Sequence, residues 1–523
     1  MAPSDADLGE LLAQVLPAGV KLSVRHISSS STPCTALFAA PPGEQPEATS
    51  STNHFLSVSI HKDDPTNGPE IIVFGIEVPI YTTAHLTTIF VSKADSTGYI
   101  HLLQQPQKTL RVSLLRLISS TFLSFLVRTH QRPGVRLVLS LFARAQNQYL
   151  FPGSIHNPHK HVLDDRGLIK WWCRVADPLL REYESESAAR DKGLLDRAME
   201  SSKGSATAFL IVPGCDRFET RGFYPPSATT AAATAAVAKD GDGGNVRDRP
   251  RWVNSYPVRQ LCDNLDAPPR CLIPRLPDDP KTRFLADLDD ELPQAEEQQQ
   301  RTEAATKASG QWRSVRSLEQ FWEMMAFRQE CSAGRLVGFL WVVINPVGLE
   351  NSVQMGNSRG MAGSEGQSPS NEDTTSAAPP LHWPETGRRD AVLSEGNYKT
   401  ALDFLLTQDF DSEEASITST KEWAEKLASL IGQLSVGKRV EGRATVTSES
   451  APQASSANQL LGSGFVRKRK KANSQSQGQE PSQGRSENKA ETGDRAQAAS
   501  LTEQPKPEVN VLSTNLVRKK KKT

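Results

Sequence analysis

Four short stretches carry side chains that could take part in chemistry, although the sequence around them is largely apolar. The first, "KADSTGY", ends a long apolar and β-branched run and contains Asp95, two hydroxyl side chains and Gly98. Gly98 permits a tight turn, and the small side chains beside it would leave backbone amides open to a ligand. An Asx turn that caps the end of a strand has the same composition, so both interpretations remain open.

The second stretch brings aromatic and imidazole side chains between a predicted strand and a predicted helix. Phe142 lies at the end of the strand, Tyr149 and His161 lie in the irregular segment, and Trp171 and Trp172 lie in the helix. Adjacent tryptophans point in different directions on a helix, so we expect one to pack and the other to line a cleft. The alternatives are two packing residues between layers and a purely structural His161.

The third stretch is the acidic turn "RLPDDPKTRF", which contains Asp278, Asp279, Pro280 and Lys281. Paired carboxylates raise one another's pKa, and a raised carboxylate can act as a base near neutral pH. The same pair can attract a cationic substrate, while Pro280 restricts how the turn moves. A solvated turn without a function is the alternative.

The fourth stretch is a pair of basic blocks near the end of the chain, "GFVRKRKK" (464–471) and "NLVRKKKK" (515–522). Lysine plus arginine equals aspartate plus glutamate, at 60 each, so the mean charge indicates no partner. The concentration of positive charge near one end does indicate a partner, because such basic runs are typical of nuclear-localisation signals and of segments that bind acidic partners. A tail that only increases solubility is the alternative.

Strands alternate with long helices along the rest of the chain, which predicts an α/β or α+β core. We predict helices at "ADLGELLAQVLP" and from about Lys108, and a Ser/Thr/Pro-rich loop over 28–52. We expect one domain over 1–435, with disordered insertions at about 225–248 and 348–385, and a disordered basic tail over 436–523.

The remaining composition excludes several classes of protein. The six cysteines show no C-x-x-C pair, so neither a disulfide framework nor a zinc site is expected. We find no signal peptide and no apolar run of membrane-spanning length, which favours the cytosol or the nucleus. The sequence contains no Walker loop, Rossmann fingerprint, H-E-x-x-H or G-x-S-x-G motif, so nothing indicates a kinase, dehydrogenase, zinc protease or serine hydrolase.

Several long motifs together resemble the fungal histone acetyltransferases of the regulator of Ty transposition class. They are "VFGIEVPIYTTAHLTTIFVSKADSTGYIHLL", "KHVLDDRGLIKWWCRV", "LPDDPKTRF" and "FWEMMAFRQECSAGRLVGFLWVV". The resemblance spans roughly residues 5–435. It implies a central mixed sheet surrounded by helices, similar to the metazoan CREB-binding-protein acetyltransferases. It also implies acetyl transfer from acetyl-coenzyme A, without a metal, to an αN-helix lysine and tail lysines of histone H-three.

The resemblance also implies roles for particular residues. Asp279, with Asp278 beside it, would serve catalysis, Trp172 would face the substrate, and Lys281 would be autoacetylated. The residues implied to bind the cofactor are Ala94, Asp95, Ser96, Phe142, Gln146, Tyr149, His161, Val162, Leu163 and Trp171.

The implied partners are histones H-three and H-four and an anti-silencing-function-type histone chaperone, with a chaperone of the nucleosome-assembly-protein family as a second candidate. No membrane partner is expected. The implied setting is nuclear, in chromatin assembly, the DNA damage response and genome stability. Two other classes stay open at this stage: a non-catalytic chromatin scaffold, and a nucleic-acid-binding protein that contacts phosphates through its basic arm.

Overall fold

The structure is a computed structural model that describes residues 7–64, 68–103, 113–185, 204–225, 251–262, 264–292, 310–328, 331, 335–346, 349, 391–433 and 436–445. Both predicted insertions lie almost entirely outside these residues, as does the predicted tail beyond 445. Within the described part of the chain, one large mixed sheet has helices packed on it, as the α/β prediction and the resemblance imply.

The sheet contains twelve strands, nine of which follow one another in the order β11-β1-β3-β4-β5-β7-β10-β8-β9. Three short strands lie off this path: β12 pairs with β1, β2 with β3, and β6 with β4. Most neighbours are antiparallel, but β5 and β7 are parallel, so their carboxyl ends meet at one edge of the sheet. The strands are β1 Lys21–Ser29, β2 Thr32–Cys34, β3 Thr49–His61, β4 Glu70–Thr82, β5 Leu86–Val91, β6 Lys93–Ser96, β7 Arg136–Ala143, β8 Ser205–Ile211, β9 Trp252–Val253, β10 Gly338–Asn345, β11 Val392–Leu393 and β12 Lys438–Glu441.

Helices cover both faces of the sheet because the inner strands are apolar on both sides. Along β7, Leu137, Leu139 and Leu141 join the core formed with α2 and α3, whereas Val138 joins the core formed with α6 and α7. A third core, which includes Trp423, lies under α8 and α9. The helices are α1 Leu8–Val15, α2 Leu114–His130, α3 Asp165–Arg181, α4 Arg217–Arg221, α5 Val258–Leu261, α6 Pro280–Asp289, α7 Leu318–Met325, α8 Glu395–Leu406 and α9 Glu413–Ile431.

Two sequence-based boundaries need correction. The segment 28–52 is not simply a loop, because it contains the end of β1, all of β2 and the start of β3. The folded unit also does not end at 435, because β12 pairs antiparallel with β1 and Ala444 bridges to Pro17. Both errors involve a short polar strand, β2 or β12, which forms because it pairs with another strand of the sheet. Such strands have no apolar pattern of their own to detect.

The helix expected from about Lys108 is described only from Leu114, where the Ser113 side chain accepts a hydrogen bond from the Arg116 amide. Residues 104–112 lie outside the described part of the chain. The other long helices begin in the same way, with a serine or aspartate side chain that caps the first turn.

Three buried histidines, one each from β1, β3 and the end of α2, lie together in the core. His26 Nε2 and His54 Nδ1 are 3.0 Å apart, and the His130 ring lies edge-on to His54 with centroids 5.1 Å apart. Burial lowers the pKa of His26 to about 4 and that of His130 to about 3, and it lowers the pKa of His54 well below its usual value. All three are therefore neutral in the folded protein at neutral pH.

This cluster predicts acid sensitivity. Below pH 6.5 the unfolded chain binds protons that the folded histidines reject, so stability falls as the pH falls toward 4. At pH 5 each of His26 and His130 should cost about 2 kcal/mol of unfolding free energy. Denaturant unfolding at pH 7.5 and pH 5 measures the loss, with exposed His156→Gln as the control. An equal acid response in His130→Gln and wild type would contradict the assignment.

Candidate active site

A cleft of about 350 Å³ opens where the carboxyl ends of β5 and β7 meet. Four parts of the chain form it: the strand β6 with its neighbours, the start of α2, the segment that follows β7, and the segment that leads into α3 together with the first turns of that helix. Ligands commonly bind at the carboxyl ends of parallel strands. The lining residues are Phe74, Val91, Ser92, Lys93, Ala94, Asp95, Ser96, Ser113, Leu115, Phe142, Arg144, Ala145, Gln146, Tyr149, Lys160, His161, Val162, Leu163, Leu168, Trp171 and Trp172.

This one cleft contains all ten residues that the resemblance assigns to the cofactor. Trp172, assigned to the substrate side, lines it as well. The two tryptophan rings are nearly perpendicular, at 85°, with centroids 4.8 Å apart. Trp172 is buried in the core beneath the cleft, whereas Trp171 is half-buried, so the packing residue of the pair also contributes to the cleft wall.

Asp95 is buried, and its carboxylate is bonded within the protein. Oδ2 accepts hydrogen bonds from the amides of Tyr149, at 2.7 Å, and Leu150, at 3.0 Å. Oδ1 accepts one from Lys160 Nζ at 2.8 Å and one from the Ser96 amide. Asp95 therefore fastens β6 to two other walls of the cleft, and a ligand would meet the surface that it holds in place.

Asp279 is also buried, and it does not line the cleft. It caps the start of α6, where Oδ1 accepts a hydrogen bond from the Lys281 amide at 2.9 Å. Its other oxygen accepts from Lys281 Nζ, and both side chains are only 1% exposed. The Lys281 ammonium lies 4.3 Å from the centroid of the Phe339 ring. The predicted acidic pair is therefore divided, with one member in the core.

Asp278, the other member, faces solvent with 62% of its side chain exposed. Its Oδ2 lies 3.5 Å from Nζ of Lys93, which lines the cleft. Asp278 has a φ of 57°, which is left-handed backbone that a non-glycine residue adopts at a cost. The acidic turn thus contacts the cleft wall through Asp278 and Lys93, although Asp278 is not itself a lining residue.

Phe142 gives the acidic turn a second connection to the cleft. Its half-buried ring packs in a small cluster with Phe90 and Leu276, and Leu276 lies three residues before Asp279. On β10, the neighbour of β7, Phe339 is the register partner of Phe142 and lies against Lys281. A change in the Asp279–Lys281 ion pair would therefore alter the cleft wall through the packed rings of Phe339 and Phe142.

Several residues that shape the site have no signal in the sequence. Lys160, Arg144 and Lys93 line the cleft, but each appears in the sequence as an ordinary surface cation. Asp165 also escapes detection, although it accepts hydrogen bonds from the Leu336 amide at 3.0 Å and the Ala145 amide at 3.3 Å. Their partners lie far away in sequence, so spacing alone does not predict these bonds.

The described residues contain no cluster of three or more side chains that could hold a metal ion. None of the six cysteines, all of which lie in the described part of the chain, forms a disulfide. None of the described helices is both long enough and apolar enough to cross a membrane.

Comparison with known proteins assigns the chain to a class. The family model of the histone acetyltransferase KAT11-type domain matches residues 8–135 and 132–426, and the chain belongs to that family. It is 55% identical to the histone acetyltransferase rtt109 of Aspergillus flavus over the whole of both chains. It is 28% identical to rtt109 of Schizosaccharomyces pombe, over 63% of this chain and 69% of that one.

A solved structure agrees with these sequence matches. The crystal structure of Rtt109 from Aspergillus fumigatus superposes with a TM-score of 0.70, at 63% identity, and covers 84% of this chain and all of its own. The chain is thus a histone acetyltransferase enzyme. Membership of an acetyltransferase family implies acetyl-coenzyme A as co-substrate and histones as acceptors.

Proposed function

We propose that the chain binds acetyl-coenzyme A in the cleft and acetylates histone H-three on a lysine of its αN helix and on tail lysines. One observation carries the cofactor part of this proposal. The ten residues that the sequence resemblance assigns to the cofactor come from three separate parts of the chain, and they line one cleft. The assignment of the acceptor lysines is supported by the resemblance and by the chemistry of the cleft rim.

The cleft suits a long amphipathic thioester. Leu115, Leu168 and Trp171 supply apolar wall, and the half-buried Arg144 supplies a cation for a phosphate. Tyr149 donates a hydrogen bond from its hydroxyl to the Arg144 carbonyl at 2.7 Å, and burial raises its pKa to about 12, so it stays neutral. Acetyl-coenzyme A would supply an acyl group that the neutral lysine amine takes up as an amide while the thiol leaves.

The rim of the cleft suits a lysine side chain. A lysine amine is mostly protonated at neutral pH, so it must be drawn in as a cation and then lose a proton. The exposed carboxylate of Asp278 can attract the ammonium and accept its proton directly or through water. Trp172 would contact the aliphatic part of the lysine. The remaining acceleration would come from holding amine and thioester together.

Asp279 acts, in this proposal, as a positioning residue. It holds the first turn of α6 and neutralises Lys281, so it keeps Asp278 beside the cleft. Burial lowers the pKa of Lys281, although Asp279 opposes the shift. The assignment of Lys281 as the autoacetylated residue rests on the resemblance, since its side chain is ion-paired with Asp279 and is only 1% exposed.

The setting that we propose is nuclear, in chromatin assembly and the response to DNA damage. Histones H-three and H-four would arrive on an anti-silencing-function-type chaperone, or on one of the nucleosome-assembly-protein family. The basic blocks at 464–471 and 515–522, which lie outside the described residues, would import the protein and attract these acidic carriers.

Mass spectrometry of acetylated histones tests the proposal. Purified protein, acetyl-coenzyme A and histones H-three and H-four should give acetylated H-three, and adding the chaperone should increase the yield at the αN-helix lysine most. Trp171→Ala serves as the impaired control. Acetylation that is confined to tail lysines with every chaperone would contradict the acceptor assignment, and the absence of any transfer would contradict the activity.

A further inference from the structure

We propose that Lys93 is a positioning residue that holds Asp278 over the mouth of the cleft and so determines how the acceptor lysine binds. The inference rests on the proposed role of Asp278. Lys93 is the first residue of the "KADSTGY" stretch, but neither the sequence analysis nor the chemistry proposed above gives it a role.

Lys93 is the charged connection that joins the strand side of the cleft to the acidic turn. It begins β6, where it is the register partner of Glu77 on β4. Its Nζ lies 3.1 Å from Glu77 Oε2 and 3.5 Å from Asp278 Oδ2. Ser92 donates its hydroxyl hydrogen to the same Glu77 oxygen at 3.0 Å. The ammonium is thus anchored on the sheet by Glu77 and reaches from there to Asp278.

The charges of this group leave Asp278 able to attract a cation. The Lys93 ammonium contacts the carboxylates of both Glu77 and Asp278, so these three groups carry a net charge of about −1 when all are ionised. Glu77 takes the shorter contact and is 17% exposed, whereas Asp278 takes the longer contact and is 62% exposed. Glu77 and Asp278 raise the pKa of Lys93 against the effect of burial, so Lys93 stays charged. Lys93 can therefore fix the position of Asp278 without neutralising it.

The backbone of Asp278 explains why it needs to be held. Its φ of 57° lies in the left-handed region, which an aspartate adopts only with backbone strain. The next two residues are constrained by the cap of Asp279 and the ring of Pro280, but the Asp278 side chain itself faces solvent. In the described residues Lys93 supplies its ion pair. Without that pair the turn can relax and carry the carboxylate away from the cleft.

A double-mutant cycle tests the inference on the full chain. The measured quantities are kcat and KM for histone at saturating acetyl-coenzyme A, in Lys93→Met, Asp278→Asn and the double variant. Lys93→Met should lower kcat/KM on the order of tenfold, mainly through KM for histone, whereas Asp278→Asn should lower kcat as well, because it also removes the proposed proton acceptor. The double variant should lose little more, because both changes remove one interaction. Lys93→Arg should retain most of the activity.

Two controls separate positioning from other roles. Lys21→Met removes a lysine of β1 that pairs with Glu441 at 3.8 Å on the exposed surface, and it should match wild type. The affinity for acetyl-coenzyme A, from calorimetry, should change less than about twofold in Lys93→Met if the lysine acts on the acceptor side. Lys93→Gln keeps a donor for Glu77 and replaces Lys93→Met if the latter does not fold.

The outcomes divide clearly. Wild-type kcat/KM in Lys93→Met, losses that multiply in the double variant, or a loss confined to acetyl-coenzyme A affinity would each overturn the role of Lys93. Wild-type kinetics in Asp278→Asn would instead overturn the role proposed for Asp278, and the inference that rests on it. An impaired Asp278→Asn beside a normal Lys93→Met leaves the proposed function intact and refutes only the inference.

Discussion

Asp279→Asn should lose both stability and turnover, and the stability loss should depend on pH. Asparagine can still accept from the Lys281 amide, but it leaves the Lys281 ammonium buried without its counter-charge. Breaking a buried ion pair by changing one partner costs about 3–5 kcal/mol. Turnover should fall on the order of tenfold or more, because the turn that carries Asp278 and the packing behind Phe142 both depend on this pair.

The pH dependence follows from the downward shift of the Lys281 pKa in the folded protein. Without Asp279, burial lowers the pKa of Lys281 further, so the unfolded chain binds a proton that the folded variant rejects. The variant should therefore gain stability, relative to wild type, as the pH rises toward the ordinary pKa of lysine. Denaturant unfolding at pH 6 and pH 9 measures this change.

Two further variants make the result specific. Asp278→Asn alters the neighbouring exposed carboxylate and should leave the unfolding free energy nearly unchanged. In the double variant Asp279→Asn/Lys281→Met, an apolar chain replaces the buried cation beside Phe339, so much of the stability should return. Unchanged stability and turnover in Asp279→Asn would refute the positioning role.

Trp171→Ala should bind acetyl-coenzyme A about 5- to 30-fold more weakly, because the indole is a half-buried wall of the cleft and its loss removes about 1–2 kcal/mol of apolar contact. Phe142→Ala should weaken binding in the same direction. Calorimetry with folded protein measures both. The matched control is Phe218→Ala, which removes a 77% exposed aromatic ring of α4 that does not line the cleft. Equal affinities in Trp171→Ala and Phe218→Ala would place the cofactor elsewhere.

The sequence predicts the elements of the fold where apolar periodicity is strong. The strand β7 and the helices α1, α2 and α3 all carry such patterns, and all are present. The short strands β2 and β12 are missed because their pairing partners, and not their own residues, make them strands. The ten cleft residues assigned to the cofactor follow from the resemblance, since neither spacing nor composition could bring three distant segments together.

The roles of two aspartates show where reasoning from sequence ends. The sequence suggests that Asp95 is a polar turn residue open to a ligand, but its carboxylate accepts hydrogen bonds from Lys160 and from four backbone amides. The sequence suggests that Asp279 belongs to an exposed acidic pair, but its side chain is buried at the start of α6 and is ion-paired with Lys281. Two adjacent acids have the same local composition, and only the packing around them decides which one meets solvent.

A crystal structure of the protein with coenzyme A tests the central claim most directly. The account predicts electron density for the coenzyme in the cleft at the carboxyl ends of β5 and β7, with the thiol end directed toward Trp172 and the rim that carries Asp278. Contacts to the segments 94–96 and 161–163 should appear in the same density. Coenzyme bound outside this cleft, for example in the smaller pocket beneath residues 36–47, would contradict it.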